Sequence, residues 1–129
     1  MGARDSAPAR PKVRHPRRGE VYLVSFDPTV GSEIRKTRPA VVIQNDVGNQ
    51  HSPTTIVAAV SSRVEEPLFP FEVLVEPRDG GLPKRSVVLL NQIRTVDRQR
   101  LGRRLGVLKP ATVARVDRAL QISVGLVTL

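Results

Sequence analysis

Apolar residues occur in short runs rich in valine and isoleucine, broken by glycine, proline and charge, a pattern that predicts strands. The first run covers 21–26. Residues 27–37 contain Pro28, Gly31 and the basic pair Arg35 and Lys36, and read as a mobile loop. Residues 39–45 follow as a buried strand with Pro39 at its first position, where a missing ladder hydrogen bond is tolerated. Residues 46–49 read as a turn and 54–60 as a third strand. A hairpin pairs 71–75 with 86–90 across the turn-rich 77–83, 95–97 forms a further short strand, and 105–108 closes the sheet. The period changes only after Pro110, a residue suited to the first turn of a helix. There Val113, Val116, Leu120 and Val124 recur at helical spacing and predict one amphipathic helix ending near Gly125. Many strands with a single terminal helix make a mainly β fold, barrel-like, with the helix packed on it.

Two strand ends carry candidate chemistry. Thr37-Arg38-Pro39 places an arginine at the mouth of the second apolar strand, and a guanidinium presents a planar fork of donors to a phosphate. The third strand ends in Ser61-Ser62. A cation and a hydroxyl delivered to one cleft suit phosphodiester chemistry. Arg35 and Lys36 read equally as phosphate-steering cations or as solvated loop charges, and the amides of Asn91 and Gln92 read equally as contacts to the edges of unstacked bases or as partners of backbone at a strand end.

Composition narrows the classes. A chain of 129 residues with 40% hydrophobic residues fits one domain with a sizeable core, although aromatics are only 3%. The absence of cysteine removes disulfides, thiolate nucleophiles and cysteine zinc sites, and two histidines, His15 and His51, do not make a metal cluster. No metal and no cofactor is expected. No apolar run approaches the ~20 residues that span a bilayer, and no signal peptide is evident, so a cytoplasmic protein without a membrane partner is expected. The net charge of +9 favours a polyanionic partner. It is concentrated at the start, where 1–18 hold six basic residues and one acid. Residues 1–17 are rich in proline, alanine and arginine and read as a disordered basic arm, with the folded domain over 18–129.

Several segments resemble the MazF/PemK toxins of type II toxin–antitoxin modules. They are Arg18-Gly19-Glu20-Val21-Tyr22-Leu23-Val24, Asp27-Pro28-Thr29-Val30-Gly31-Ser32-Glu33, Thr37-Arg38-Pro39-Ala40-Val41-Val42-Ile43-Gln44-Asn45-Asp46, and Ser52-Pro53-Thr54 with Val57-Ala58-Ala59-Val60. Val87-Val88-Leu89-Leu90-Asn91-Gln92-Ile93-Arg94-Thr95-Val96-Asp97 and Val116-Asp117-Arg118-Ala119-Leu120-Gln121-Ile122-Ser123 complete the match, which runs in order from about residue 18 to the end. The resemblance implies a small SH3-like barrel of the PemK/CcdB type, a homodimer, and a metal-independent endoribonuclease that cuts single-stranded RNA at short sequences. It also implies a cognate MazE-like antitoxin whose acidic segment threads the RNA groove.

By the same resemblance the catalytic arginine is Arg38 and the catalytic hydroxyl Ser61, where many relatives have threonine; Arg35, Lys36, Ser62, Asn91 and Gln92 are candidate RNA contacts on their own chemistry. Some relatives carry an acidic residue at the place of Asn91, so this chain lacks that carboxylate. Two rival readings stand beside the nuclease. One is a catalytically silent nucleic-acid-binding module. The other is a CcdB-like gyrase poison, disfavoured because that branch relies on a C-terminal tryptophan and this chain has none.

Overall fold

The computed structural model describes residues 15–27, 31 and 36–129. In chain order its elements are β1 (Glu20–Ser25), β2 (Thr37–Val42), α1 (Asp46–His51), β3 (Thr54–Ser61), β4 (Glu72–Val75), β5 (Ser86–Asp97), β6 (Leu101–Val107) and α2 (Pro110–Ser123), with 3-10 turns at Asp79–Gly81 and Arg98–Arg100. The strands form one antiparallel sheet in the order β4-β5-β3-β2-β1-β6.

β2 and β3 lie in the middle and are buried on both faces. Val41, Ala58 and Val60 join Val116 and Ala119 of α2 in one core, while Ala40, Val42, Val57 and Ala59 join Val24, Phe26 and Val96 in a second core on the opposite face. Burial on both sides explains why these segments read as continuous apolar runs rather than as alternating ones.

The mainly β architecture and the single long terminal helix agree with the sequence reading, and several details differ from it. Residues 46–49 are not a turn: they begin α1, whose N-cap Asn45 accepts the Gly48 N–H at 2.8 Å. This helix buries a polar side chain, Asn49, which accepts from Gln44 Nε2 at 3.0 Å and Thr55 Oγ1 at 2.7 Å and donates to the Gln44 carbonyl at 2.9 Å. Its apolar residue Val47 is 72% exposed, so no hydrophobic period marks the helix.

The short strand expected at 95–97 is the end of β5, a continuous strand of 12 residues. Its apolar pattern breaks at a bulge: Ala59 pairs with Leu89 and Ala58 with Ile93, leaving Leu90, Asn91 and Gln92 unmatched. β2 begins at Thr37, so Pro39 is not its first residue. Pro39 lies opposite Leu23 of β1 but outside the β2–β3 pairing, which runs from Ala40 to Val42. Val124, expected on the buried stripe of α2, is its C-cap and is exposed; the buried positions are Thr112, Val116 and Ala119.

β6 is longer than expected and pairs with β1, so it does not close the sheet by hydrogen bonds to β4. Closure comes instead from the turn Asp79–Gly81, between β4 and β5, which packs directly on Leu105 and Gly106 of β6. Asp79 in that turn also tethers α2: its carboxylate accepts the Lys109 N–H at 2.8 Å and the Thr112 hydroxyl at 2.5 Å, placing a negative charge at the helix N-terminus.

Of the arm expected over 1–17, residues 1–14 lie outside the described residues; Pro16 is buried and the Arg17 N–H donates to Glu20 Oε1 at 2.7 Å. Arg18-Gly19-Glu20 then forms a junction. Arg18 donates from its backbone to Asp46 Oδ1 at 2.7 Å and from Nε to the Ile43 carbonyl at 2.9 Å, and it pairs with Asp117 of α2 at 2.7 Å. Gly19 adopts φ +91°, a left-handed conformation that favours glycine, and bonds through N–H to Val42 and through C=O to Leu108.

Glu20, only 3% exposed, accepts from Arg104 Nε on β6 at 2.7 Å and from the Tyr22 hydroxyl at 3.0 Å. Burial opposes its ionisation, but the bonds from Arg104, Arg17 and Tyr22 outweigh it and hold the pKa below the ordinary 4.5. A carboxyl with a depressed folded-state pKa contributes stability above its unfolded value, and that contribution is lost as pH falls through the folded one. Glu20→Gln is therefore expected to cost about 2 kcal/mol at neutral pH, and the gap from wild type should narrow in urea titrations below pH 4.5. A constant gap across that range would remove Glu20 from the acid response.

Candidate active site

β2 and β3 deliver the two predicted groups to the same end of the sheet. Ala40 pairs with Ala59, Val41 with Ala58 and Val42 with Val57. The ladder ends there, and Arg38 and Ser61 lie two residues beyond its last pair, each on its own strand. Both positions are anchored on their other side, Arg38 opposite Val24 of β1 and Ser61 opposite Val87 of β5. Arg38 and Ser61 are each half-buried.

A cleft of ≈ 160 Å³ opens at this end. Arg38, Ser62, Lys84 and Ser86 supply its polar groups, over an apolar floor that includes Val60 and Leu82. Among the described residues its lining holds two cations and no carboxylate. Ser62 and Ser86 bring hydroxyls to the lining, while Ser61, by strand alternation, lies on the other face from Val60. Ser61 Oγ accepts the Arg63 N–H at 3.1 Å, and the hydroxyl keeps a proton to donate.

The remaining predicted residues divide. Lys36 is exposed, stands two positions before Arg38, and adopts φ 65°, a left-handed conformation rare for a side-chain-bearing residue; its N–H donates to Asp27 Oδ1 at 3.0 Å and its carbonyl accepts the Phe26 N–H at 3.0 Å. Arg35 lies outside the described residues, as does most of the loop expected over 27–37. Asn91 and Gln92 do not line the cleft. They occupy the β5 bulge, and Asn91 is four residues, about 13 Å along the strand, from Val87, the partner of Ser61.

Lys84 is the cleft residue that sequence reasoning missed. It follows Pro83 in a turn with no apolar or motif signal, and only the fold brings it across from Arg38. The Ser86 hydroxyl donates to the Lys84 carbonyl at 2.8 Å and holds this side of the cleft in place.

The basic stretch over 94–104 has mainly structural partners. Arg94 Nη1 donates to the Phe26 carbonyl at 2.6 Å with its guanidinium 5.9 Å from the Phe26 ring centre, and Arg100 Nη1 reaches the carbonyls of Ser25 and Asp27 at 3.1 and 2.6 Å. These two arginines hold the end of β1 and the two residues after it. Among the described residues no three His, Cys, Asp or Glu side chains gather as metal ligands, and no helix is long and apolar enough to cross a membrane.

Residues 17–124 match the model of the PemK-like, MazF-like toxin of type II toxin–antitoxin systems. Solved structures share the fold. MazF from Deinococcus radiodurans is 27% identical, with a TM-score of 0.74 over 87% of this chain and 98% of that one. The MazE–MazF complex from the same organism matches at 25% identity and TM-score 0.67, covering 87% and 97%. An endoribonuclease from Mycobacterial species, solved with its cognate antitoxin, matches at 24% identity and TM-score 0.73, covering 88% and 99%.

Proposed function

Because the chain belongs to the PemK-like, MazF-like toxins of type II toxin–antitoxin systems, we propose that it is a sequence-specific, metal-independent endoribonuclease that cleaves single-stranded RNA and is restrained by a cognate MazE-like antitoxin. The observation that supports this reading is the cleft that gathers Arg38, Ser62 and Lys84, at the end of the sheet where β3 finishes in Ser61.

RNA brings its own nucleophile. The 2′-oxygen attacks the adjacent phosphorus, the P–O5′ bond breaks, the 2′-hydroxyl proton passes to solvent and O5′ is protonated as it leaves. The products are a 2′,3′-cyclic phosphate and a 5′-hydroxyl, the cyclic ester opening on hydrolysis to a 3′-phosphate. The reaction needs preorganised donors for the charge that builds on the non-bridging oxygens. Arg38 supplies them as a permanently charged guanidinium with donors and no acceptor, which makes it an electrostatic stabiliser rather than a base. Ser61 orients the phosphate or relays a proton, Lys84 adds a second positive charge, and Ser62, Lys36 and Arg35 contact the RNA backbone. Asn91 and Gln92, displaced along β5, suit bases away from the scissile bond. The basic arm over 1–17 adds salt-dependent affinity.

The functional unit is a homodimer, a reading supported by the apolar side chains Ile93, Val124, Leu126 and Leu129 that one protomer leaves exposed. The silent-binder reading shares the cleft but not the reaction. Incubation of a long single-stranded RNA in EDTA, with 5′-hydroxyl ends mapped, is expected to give discrete cuts at one short motif. A 2′-deoxy residue at the scissile nucleotide should abolish the cut while leaving binding largely intact. Salt-dependent binding without cuts would replace the nuclease with the silent module.

A further inference from the structure

O5′ leaves as a strongly basic alkoxide unless a donor protonates it while the P–O5′ bond breaks. We propose that this donor is the Lys84 ammonium: one N–H bond breaks, an O5′–H bond forms, and the neutral amine regains a proton from water before the next turnover. The assignment rests on the endoribonuclease reading and fills a step that it leaves open.

The polar side chains of the cleft are not equivalent as acids. A guanidinium keeps its protons, so Arg38 stabilises charge without transferring one. The Ser86 hydroxyl is committed to the Lys84 carbonyl at 2.8 Å. Ser62 is neutral, and a hydroxyl passes a proton on only when it receives another, so it is a relay and not a source. The Lys84 ammonium carries three N–H donors and leaves a stable neutral amine when it loses one. No carboxyl or imidazole competes with it among the described lining residues. His15 lines a different pocket with Asp46 and Gln50 of α1, and His51 ends that helix, which follows the opposite end of β2 from Arg38.

The fold anchors the chain on both sides of Lys84 and leaves the side chain to the cleft. Leu82 and Ser86 are buried, whereas Lys84 is exposed. The Leu82 carbonyl accepts the Arg78 N–H at 2.6 Å, and Pro83 restricts the backbone between the buried leucine and the lysine. Among the described residues the ammonium has neither a hydrogen bond nor an ion pair. The next residue, Arg85, is paired with Glu66 at 3.6 Å, so of two adjacent cations one is compensated and the other is available to the cleft. Arg38 and Lys84 line the same ≈ 160 Å³, which puts a phosphate held by Arg38 within reach of a flexible four-carbon side chain.

The test replaces O5′ with sulfur at the linkage mapped as the cut site. A thiol ionises at about pH 8.5, so the thiolate leaves without a proton, while the phosphorus, the 2′-hydroxyl and both non-bridging oxygens are unchanged. Single-turnover rates are compared at saturating concentrations of the full chain, with thermal midpoints to verify folding. Lys84→Gln is expected to slow the oxygen substrate by about 10²-fold and to leave the sulfur substrate near the wild-type rate. Lys84→Arg keeps the cation and withholds the proton, and should show the same split. Arg38→Ala should slow both substrates, because charge builds on the non-bridging oxygens in either one. Equal slowing of the two substrates by Lys84→Gln, or full activity of Lys84→Arg on the oxygen substrate, would reduce Lys84 to a point charge and overturn the proposal. So would an undiminished rate in Lys84→Gln. A folded wild-type protein that cuts neither substrate would remove the nuclease reading itself, and the proposal with it.

Discussion

Arg38→Ala is expected to lower the single-turnover rate of RNA cleavage by about 10²–10³-fold, the loss typical of removing a preorganised donor to developing oxyanion charge. Arg38 is half-buried at the end of a strand whose core residues are Ala40, Val41 and Val42. Truncating it therefore leaves both cores intact, and the thermal midpoint should stay near the wild-type value. Arg38→Lys separates charge from geometry. It keeps the cation and loses the planar fork, and should recover only a minor part of the rate. Full activity in Arg38→Lys would mean that the site needs only a point charge, a role Lys84 shares. An undiminished rate in a folded Arg38→Ala protein would move the chemistry out of this cleft.

The two serines give a finer reading of the same site. The resemblance selects Ser61, yet Ser62 lines the cleft and Ser61 accepts a bond from Arg63. If Ser61 acts through the phosphate, Ser61→Ala should depress the rate about 10–100-fold, with Ser62→Ala showing mainly weaker binding. The reverse ranking would assign the hydroxyl role to the residue that the cleft, rather than the motif, identifies.

What the sequence made legible follows from which forces leave a local trace. The double burial of β2 and β3 writes uninterrupted apolar runs, and the one-sided burial of α2 writes a helical period, so both were readable. α1 left no such trace, since its anchor is the buried amide of Asn49, bonded to Gln44 and Thr55. The β5 bulge divided one strand into two apparent ones at Asn91 and Gln92. Arg38 was visible because a cation at the mouth of an apolar strand is conspicuous and sits in a family motif. Lys84 was not, because its place opposite Arg38 depends on how the turn after β4 folds back, a long-range fact with no short-range signature. The arginines over 94–104 make the same point in reverse. Their sequence suggests a nucleic-acid track, and their partners are mostly backbone carbonyls and Glu20.

The closure of the sheet yields the largest expected effect on stability. Gly81 adopts φ +74°, and a Cβ built there would lie 2.0 Å from the Leu105 carbonyl oxygen, a backbone atom of a paired strand. Neither partner has a flexible side chain with which to yield. Left-handed strain of about 1 kcal/mol or more adds to overpacking of about 1–3 kcal/mol, so Gly81→Ala should cost roughly 3 kcal/mol and lower the thermal midpoint by about 10 °C. Gly31, at φ +62° with nothing within 4 Å of a built Cβ, is the matched control: alanine there carries the conformational cost without the collision. A Gly81→Ala loss no greater than that of Gly31→Ala would mean that the turn moves freely from β6. The Asp79 carboxylate then could not hold both the Lys109 N–H and the Thr112 hydroxyl. A large loss at Gly81 alone, with Arg38 and Lys84 both intact, would identify the contact between turn and strand as what fixes the cleft's far wall, because Lys84 follows that turn by only three residues.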